Sequence, residues 1–375
     1  MSGRTVTPVR GKAAPATALV TEGPTVTGRR TVVGVLTVGV LCAVTGTAAA
    51  APAPGGLGPG DHAFVNVSVA TLWVAPDRPR DLDAPALGNP VELDRWNRRM
   101  ADTGTRRWLT GNLETQAVLG SEVEVTEVAG DWAHVVVLDQ ATPRDARGYP
   151  GWVPVRQLVA NAGFAADARN RDRAVVTATR TWLSATPDGT TPHLEVSVTT
   201  QLPVLAQTTD GVRVVLPDGS AAWLRRDAVD VHAPGEQPAT PTGEDLVATA
   251  TTFLGLRYLW AGTSAYGLDC SGLIYTVHRA HGIAVPRDSG PQSTFGTAVA
   301  AGELQPGDLL FFARPGGVGS VHHVGMYVGA GRMIHSPNAA ASVQIVDWEQ
   351  WDTGHEFAGA RRILPGAPAA GQRTA

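Results

Sequence analysis

The stretch Tyr258–Gly272, YLWAGTSAYGLDCSG, runs into the apolar Leu273-Ile274-Tyr275 and carries Cys270, one of two cysteines among 375 residues. Behind it Leu273, Ile274, Val277 and Ala280 recur at helical spacing and Gly282 ends the run, which predicts a helix with Cys270 at or just inside its N-terminus. Free N–H groups and the positive dipole end at such a terminus favour a thiolate over a thiol. A solitary cysteine is either a buried inert residue or a reactive one, and a reactive one needs a base.

Candidate bases follow in His322-His323-Val324-Gly325-Met326-Tyr327-Val328, an alternating strand, and in Arg332-Met333-Ile334-His335, joined across Gly329-Ala330-Gly331. A three-residue loop at 329–331 sets Val328 opposite Arg332 and Gly325 opposite His335. His323 then shares a face with His335 as a diagonal neighbour, about 7–8 Å away at Cα. One histidine can be the base and the other its orienter, or the two can be structural. His322 points to the opposite face as a packed or rim residue. His322, His323 and His335 with an aspartate could instead hold zinc, although the chain has no His-Glu-x-x-His helix and no second cysteine nearby.

Upstream, Arg29-Arg30 precedes an apolar run from Thr31 to Val44 and then small residues up to Pro52, which reads as a secretory signal over residues 1–50. The run is too short for a membrane span, and the paired arginines fit either general or twin-arginine export. The first 50 residues hold five basic groups and one acid; removing them from 30 basic and 34 acidic groups leaves 25 against 33, a net charge of −8. That balance disfavours nucleic acid or an anionic membrane as partner. Cleavage also removes Cys42, leaving Cys270 without a disulfide partner in an oxidising compartment.

Residues 51–62 read as a Pro/Gly/Ala linker. Alternating runs at Val65–Val69, Val123–Val125 and Trp132–Val137 predict a β module over 63–160, interrupted by helical turns around 94–110. A second β module is expected over 161–232, with strands near 174–176, 194–198, 202–205 and 212–215. The two look like weak repeats: Gly130-Asp131-Trp132, Gly151-Trp152-Val153 and Leu158 are echoed by Asp210-Gly211-Val212, Ala222-Trp223-Leu224 and Val229. Short strands with a late Gly-Trp resemble bacterial SH3-like barrels, the first copy better than the second; two unrelated β modules are the alternative. A Pro-rich linker at 233–241 precedes a helix capped by Thr242 and Asp245, carrying Leu246, Val247, Ala250, Phe253 and Leu254 until Gly255. The tail at 365–375 is small and polar, with the composition of a disordered segment.

Six motifs in order, Tyr258–Gly262 with Asp269–Gly272, Val285–Gln292, Leu304–Phe312, His323–Gly329, Met333–His335 and Arg361-Arg362, resemble the NlpC-type cell-wall cysteine peptidases over residues 242–364. The resemblance extends into the first β module through Thr71–Val74, Trp108–Gly111, Leu113–Gln116 and Gly148–Trp152, and is then to the γ-D-glutamyl dipeptidyl peptidases. It implies an α+β fold: a papain-like catalytic domain, a helix-borne cysteine against an antiparallel sheet, preceded by two small SH3-like barrels. It implies Cys270 as nucleophile, His323 as base and His335 as its orienter, with no metal and no cofactor. It places Tyr258, Asp269, Ser271, Asp288 and Ser289 around γ-D-Glu, and Glu114 and Tyr149 around a free L-Ala amine. A carboxylate closing that end of the cleft would pair with an ammonium and exclude longer chains. Leu268 stands where the family often has an aromatic residue.

The expected activity is therefore hydrolysis of the bond between γ-D-Glu and the next diamino acid in murein peptides with a free N-terminal L-Ala. The expected protein is an exported monomer, extracellular or wall-associated. An endopeptidase on intact peptidoglycan and a non-catalytic wall-binding protein are the alternatives.

Overall fold

A computed structural model describes residues 56–364. The signal segment at 1–50, the first five linker residues and the tail at 365–375 lie outside the described residues.

The first β segment forms seven antiparallel strands: His62–Val65 (β1), Val69–Trp73 (β2), Leu113–Val118 (β3), Glu122–Ala129 (β4), Trp132–Val137 (β5), Tyr149–Pro154 (β6) and Leu158–Val159 (β7). Their order is β3-β2-β6-β5-β4-β1-β7. The alternating run Val65–Val69, expected as one strand, instead holds the end of β1, a bend at Val67-Ser68 and the start of β2. The helical turns expected around 94–110 are Leu93–Arg99 (α1) and Thr103–Arg107 (α2), the latter capped by Asp102 on Thr105 N–H.

An unexpected helix, Ala162–Asn170 (α3), links this sheet to the next; Asn161 caps it and Phe164 anchors it. The second sheet is built from Arg173–Val176 (β8), Arg180–Ser184 (β9), Pro192–Ser197 (β10), Gln201–Gln207 (β11), Gly211–Val215 (β12), Ala221–Arg225 (β13) and Val229–His232 (β14). Its order, β10-β9-β13-β12-β11-β8-β14, repeats the first with every strand advanced by seven. The sequence echoes fall on equivalent strands: Trp152 on β6 pairs with β2, and Trp223 on β13 pairs with β9.

Beyond the linker, Thr242 and Asp245 form the expected capping box of Gly243–Thr251 (α4). This helix stops before Gly255, and Leu254 is exposed while Leu246, Ala250 and Phe253 are buried. Thr263–Ser264 (β15) and Gly267–Leu268 (β16) make a small hairpin ahead of Cys270–Ala280 (α5). Ser289–Gln292 (α6) follows, then Thr297–Val299 (β17), Leu309–Arg314 (β18), Ser320–Gly329 (β19), Arg332–His335 (β20), Gln344–Asp347 (β21), Trp348–Trp351 (α7) and Phe357–Arg362 (β22). The sheet order is β17-β22-β18-β19-β20-β21. Leu273, Ile274 and Val277 of α5 pack with Leu246 and Ala250 against Leu309, Phe311, Val324, Met326 and Ile334 on one face of this sheet. Leu310, Phe312 and Met333 line the other face with Trp348.

The modules share cores. Phe64 and Leu119 of the first sheet belong to the apolar cluster of the second, and Leu259, Ala261 and Tyr266 complete a cluster begun by Trp73, Trp96 and Leu109. Among the described residues no helix is long and apolar enough to cross a membrane.

Candidate active site

Cys270 is the first residue of α5, held there by its neighbours. Asp269 is the N-cap, its carboxylate accepting from Gly272 N–H at 2.6 Å. Gly272 is required by close approach: a Cβ there would lie 1.9 Å from the Gly262 carbonyl oxygen, so the first turn of α5 rests directly on the Tyr258–Gly272 backbone. The backbone N–H groups of Val324 and Ser271 face the thiol and favour its ionised form, and the thiol is free of any disulfide. The expectation that the helix terminus would ionise it is corrected. Burial, with the Asp269 charge second, pushes the thiol up to about 12, outweighing the two N–H groups and Arg287.

His323 on β19 and His335 on β20 meet as a pair, His323 Nε2 lying 2.9 Å from His335 Nδ1. Met326 pairs with Ile334, the register the sequence implies, but the hairpin does not close through a three-residue loop. Gly329 pairs with Arg332 across Ala330-Gly331, both at positive φ, and a bulge at Val328 absorbs the odd residue. Gly325 makes room for the second ring, since a Cβ there would meet His335 Cβ at 3.3 Å and Met333 Sδ at 2.7 Å. Trp351 of α7 covers both imidazoles, with ring centroids 5.0 Å from His323 and 4.8 Å from His335, and Phe312 lies against His323. Burial holds both histidines neutral: His335 is pushed down to about 4, and His323 is driven well below its usual value by burial, then by His335, His322 and Arg314.

Val324, whose N–H reaches the thiol, is the residue after His323, so strand and helix terminus meet at this point. Among the described residues no hydrogen bond joins thiol and imidazole in the free protein. His322 sits at the rim, bonded to Glu356, which also holds Arg314. Among the described residues no group of three or more His, Cys, Asp or Glu side chains is placed to hold a metal ion.

The residues assigned to substrate divide into two sets. Asp269 and Ser271 are beside Cys270 but their side chains are already engaged: Arg287 reaches both Asp269 oxygens at 3.1 and 2.8 Å and the Ser271 hydroxyl at 3.0 Å. Tyr258 is buried close enough to Cys270 and Asp269 for their charges to raise its phenol further, after burial as the main cause. Asp288 immediately precedes α6, without a side-chain bond to its first turn, and Ser289 is the helix's first residue. The Tyr149 hydroxyl donates to Asp288 at 3.0 Å, linking the first sheet to the catalytic module. Tyr149 is the buried first residue of β6. Glu114 on β3 is bound by Arg144, whose guanidinium lies 5.2 Å from the Tyr149 ring centroid.

A line of polar groups therefore runs from Glu114 through Arg144, Tyr149, Asp288, Arg287 and Asp269 to the start of α5; Arg144 meets Tyr149 over its ring and Arg287 approaches Asp288 at 4.0 Å, while the other links are hydrogen bonds. Sequence reading passed over Arg144, Arg287, Trp351 and Gln344. The last lies on β21 opposite His335, with its amide nitrogen 3.2 Å from His335 Nε2. Arg287 stood within a motif already quoted; the other three carry no periodic signal.

Residues 255–362 match the NlpC/P60 family, and residues 176–232 match the YKFC SH3b2 domain. The latter is the β module whose resemblance in sequence was the weaker. The chain is 48% identical over 305 residues to the gamma-D-glutamyl-L-lysine dipeptidyl-peptidase of Bacillus cereus (strain ATCC 10987 / NRS 248), over 81% of this chain and 91% of that protein. It is 35% identical over 298 residues to the protein of the same name from Bacillus subtilis (strain 168), over 79% and 97% of the two chains. The crystal structure of a NlpC/P60 family protein from Bacillus cereus ATCC 10987 superposes with a TM-score of 0.78 at 48% identity, covering 81% of this chain and 100% of that one.

Proposed function

The chain belongs to the NlpC/P60 family of cysteine peptidases, and on that premise we propose that it is an exported dipeptidyl-peptidase, cutting murein peptides after an N-terminal L-Ala-γ-D-Glu unit. It is an enzyme that hydrolyses peptidoglycan peptides. Its relatives are named for L-lysine, and a diamino acid of that kind is the residue released. Both seven-stranded sheets are SH3-like modules, at 63–160 and 161–232, ahead of the peptidase at 242–364; their shared strand order supports this.

Cys270 is the nucleophile and His323 the base. His323 Nε2 is committed to His335, which leaves Nδ1 to exchange a proton with the thiol. With both groups neutral at rest, the proton moves from sulfur to Nδ1 as sulfur attacks the γ-carbonyl of D-Glu. N–H groups at the α5 terminus stabilise the oxyanion. Collapse of the tetrahedral intermediate breaks the C–N bond, and the imidazolium returns its proton to the departing amine. Water, deprotonated by the same imidazole, then releases the thioester as L-Ala-D-Glu and regenerates the thiol.

The observation that carries the dipeptidyl reading is the polar path from Glu114 and Tyr149 to the α5 terminus, which joins a carboxylate of another module to the nucleophile's surroundings. In this reading the peptide's ammonium displaces Arg144 from Glu114, while Tyr258, Asp269, Ser271, Asp288 and Ser289 border the γ-D-Glu. Cleavage of L-Ala-γ-D-Glu-L-Lys is compared with that of its N-acetylated form. The free amine is expected to be cut and the acetylated peptide spared; equal rates on both would identify an endopeptidase for intact stems instead.

A further inference from the structure

The histidine pair does not end at His335. β21 lies beside β20 at the edge of the sheet, and the register that pairs His335 with Gln344 brings the Gln344 amide to the ring's outer nitrogen. The amide makes no other side-chain hydrogen bond among the described residues. Three groups therefore stand in line: the Gln344 amide, His335 through Nε2 and Nδ1, and His323 through Nε2.

A neutral imidazole has one N–H and one lone pair, so the protons along this line are coupled. If Gln344 presents its oxygen, His335 carries its proton on Nε2 and accepts at Nδ1 from His323 Nε2–H. His323 Nδ1 is then a lone pair, the form that can take a proton from Cys270. If Gln344 presents its NH2 group, the order reverses. His335 donates from Nδ1, His323 accepts at Nε2, and the remaining proton sits on His323 Nδ1, where it blocks base chemistry. The structure has the amide nitrogen at this contact, 3.2 Å from His335 Nε2, and a half-turn about the last bond of the Gln344 side chain brings the oxygen to the same place.

We propose that Gln344 is a positioning residue for the thiol chemistry: when its amide is turned to present oxygen to His335 Nε2–H, it selects the tautomer of both histidines that leaves His323 Nδ1 free to accept the Cys270 proton. The proposal rests on the reading of Cys270 as nucleophile and His323 as base. No carboxylate bonds either ring among the described residues, so the tautomer is set by a neutral group. Arg314 on β18 and His322 on β19 are the charged or titratable groups bearing on His323, and both are held by Glu356. Asp269, Arg287 and Tyr258 face the thiol side. Trp351 and Phe312 complete the enclosure without charge.

The test uses the full chain and two variants. Gln344→Glu keeps an acceptor and removes the donor; Gln344→Met keeps the length and removes both. The rate of Cys270 alkylation by iodoacetamide is followed against pH, together with kcat and KM on L-Ala-γ-D-Glu-L-Lys and the 15N shifts of the His335 ring. Gln344→Met is expected to lower kcat and the neutral-pH alkylation rate about tenfold, with KM and the unfolding midpoint little changed. Gln344→Glu is expected to stay within about threefold of the parent, to keep the Nε2–H signature at His335 and to move the acid limb of both profiles upward, because a carboxylate stabilises the imidazolium. Parental alkylation and kcat in Gln344→Met, or a Gln344→Glu variant as slow as Gln344→Met, would overturn the proposal. If the parent fails to cut the peptide while alkylation still separates the variants, the substrate reading falls and the role of Gln344 stands.

Discussion

Cys270 faces the Ser271 N–H in the first turn of α5 and the Val324 N–H on β19, yet its surroundings push the thiol up to about 12 while His335 is pushed down to about 4 and His323 well below its usual value. The thiol and both imidazoles are neutral between those limits, so in the proposed mechanism proton transfer accompanies substrate binding and attack. Trp351 is a main source of the enclosure, since its ring covers both imidazoles. Replacing Trp351 by Ala should let water reach the pair and raise their pKa values toward the usual histidine range. The acid limb of kcat/KM is then expected to move up by about one pH unit. An acid limb that stays in place would show that the enclosure comes from elsewhere. Cys270 was legible because a rare residue stood before a helical repeat; Trp351 was not, because an indole four residues into a short helix gives no hint of what it will cover.

At the scale of elements, α5 is an almost wholly buried helix, and it encloses a third neutral histidine. His278 donates from Nδ1 to the Ile274 carbonyl at 2.8 Å, and burial pushes it down to about 4. In the unfolded chain it titrates near the ordinary value of about 6.5, so between these limits the unfolded state binds more protons and stability falls as pH falls. His335 and His323 act in the same direction. Replacing His278 by Met should shrink the stability difference between pH 7 and pH 4 by on the order of 3 kcal/mol, read from urea unfolding at each pH. An unchanged difference would show that His278 is not a source of the acid sensitivity. The β19–β20 hairpin shows the limit of reading elements from sequence. Period two and a glycine-rich loop located it and set the register at the imidazoles, but the two-residue turn and the bulge at Val328 depend on which residues tolerate positive φ in place.

The whole molecule is organised around a wedge. Residues 258–268 insert between the modules: Trp260 Nε1 donates to the Leu113 carbonyl, Thr263 and Ser264 bond Gln116, and Arg180 and Asn97 reach the carbonyls of Ala265 and Tyr266. Arg287, 1% exposed, joins the residues on either side of Cys270 to the first sheet, bonding Asp269, Ser271 and, across the interface, Thr115 at 3.2 Å. Replacing Arg287 by Met leaves the Asp269 carboxylate buried without its cation and should cost about 3–5 kcal/mol. Adding Asp269→Asn, which can still cap α5, should recover most of that loss. If the double variant is as unstable as the single one in urea unfolding, Arg287 acts by packing and not by pairing with Asp269.

By itself the sequence determined the local features: the helix behind Cys270, the alternating strands, the face shared by His323 and His335, and the motif order that identifies the peptidase. Each follows from short-range periodicity or from residue types at fixed spacing, which survive in any fold that contains them. Only the tertiary structure decided which polar groups are already taken and which are buried. Asp269 is held by Arg287 and Glu114 by Arg144, Gln344 ends the histidine line, and desolvation overrides the helix terminus at the thiol. Those outcomes depend on the dielectric surroundings and partners supplied by segments far apart in the chain, and no local pattern encodes them.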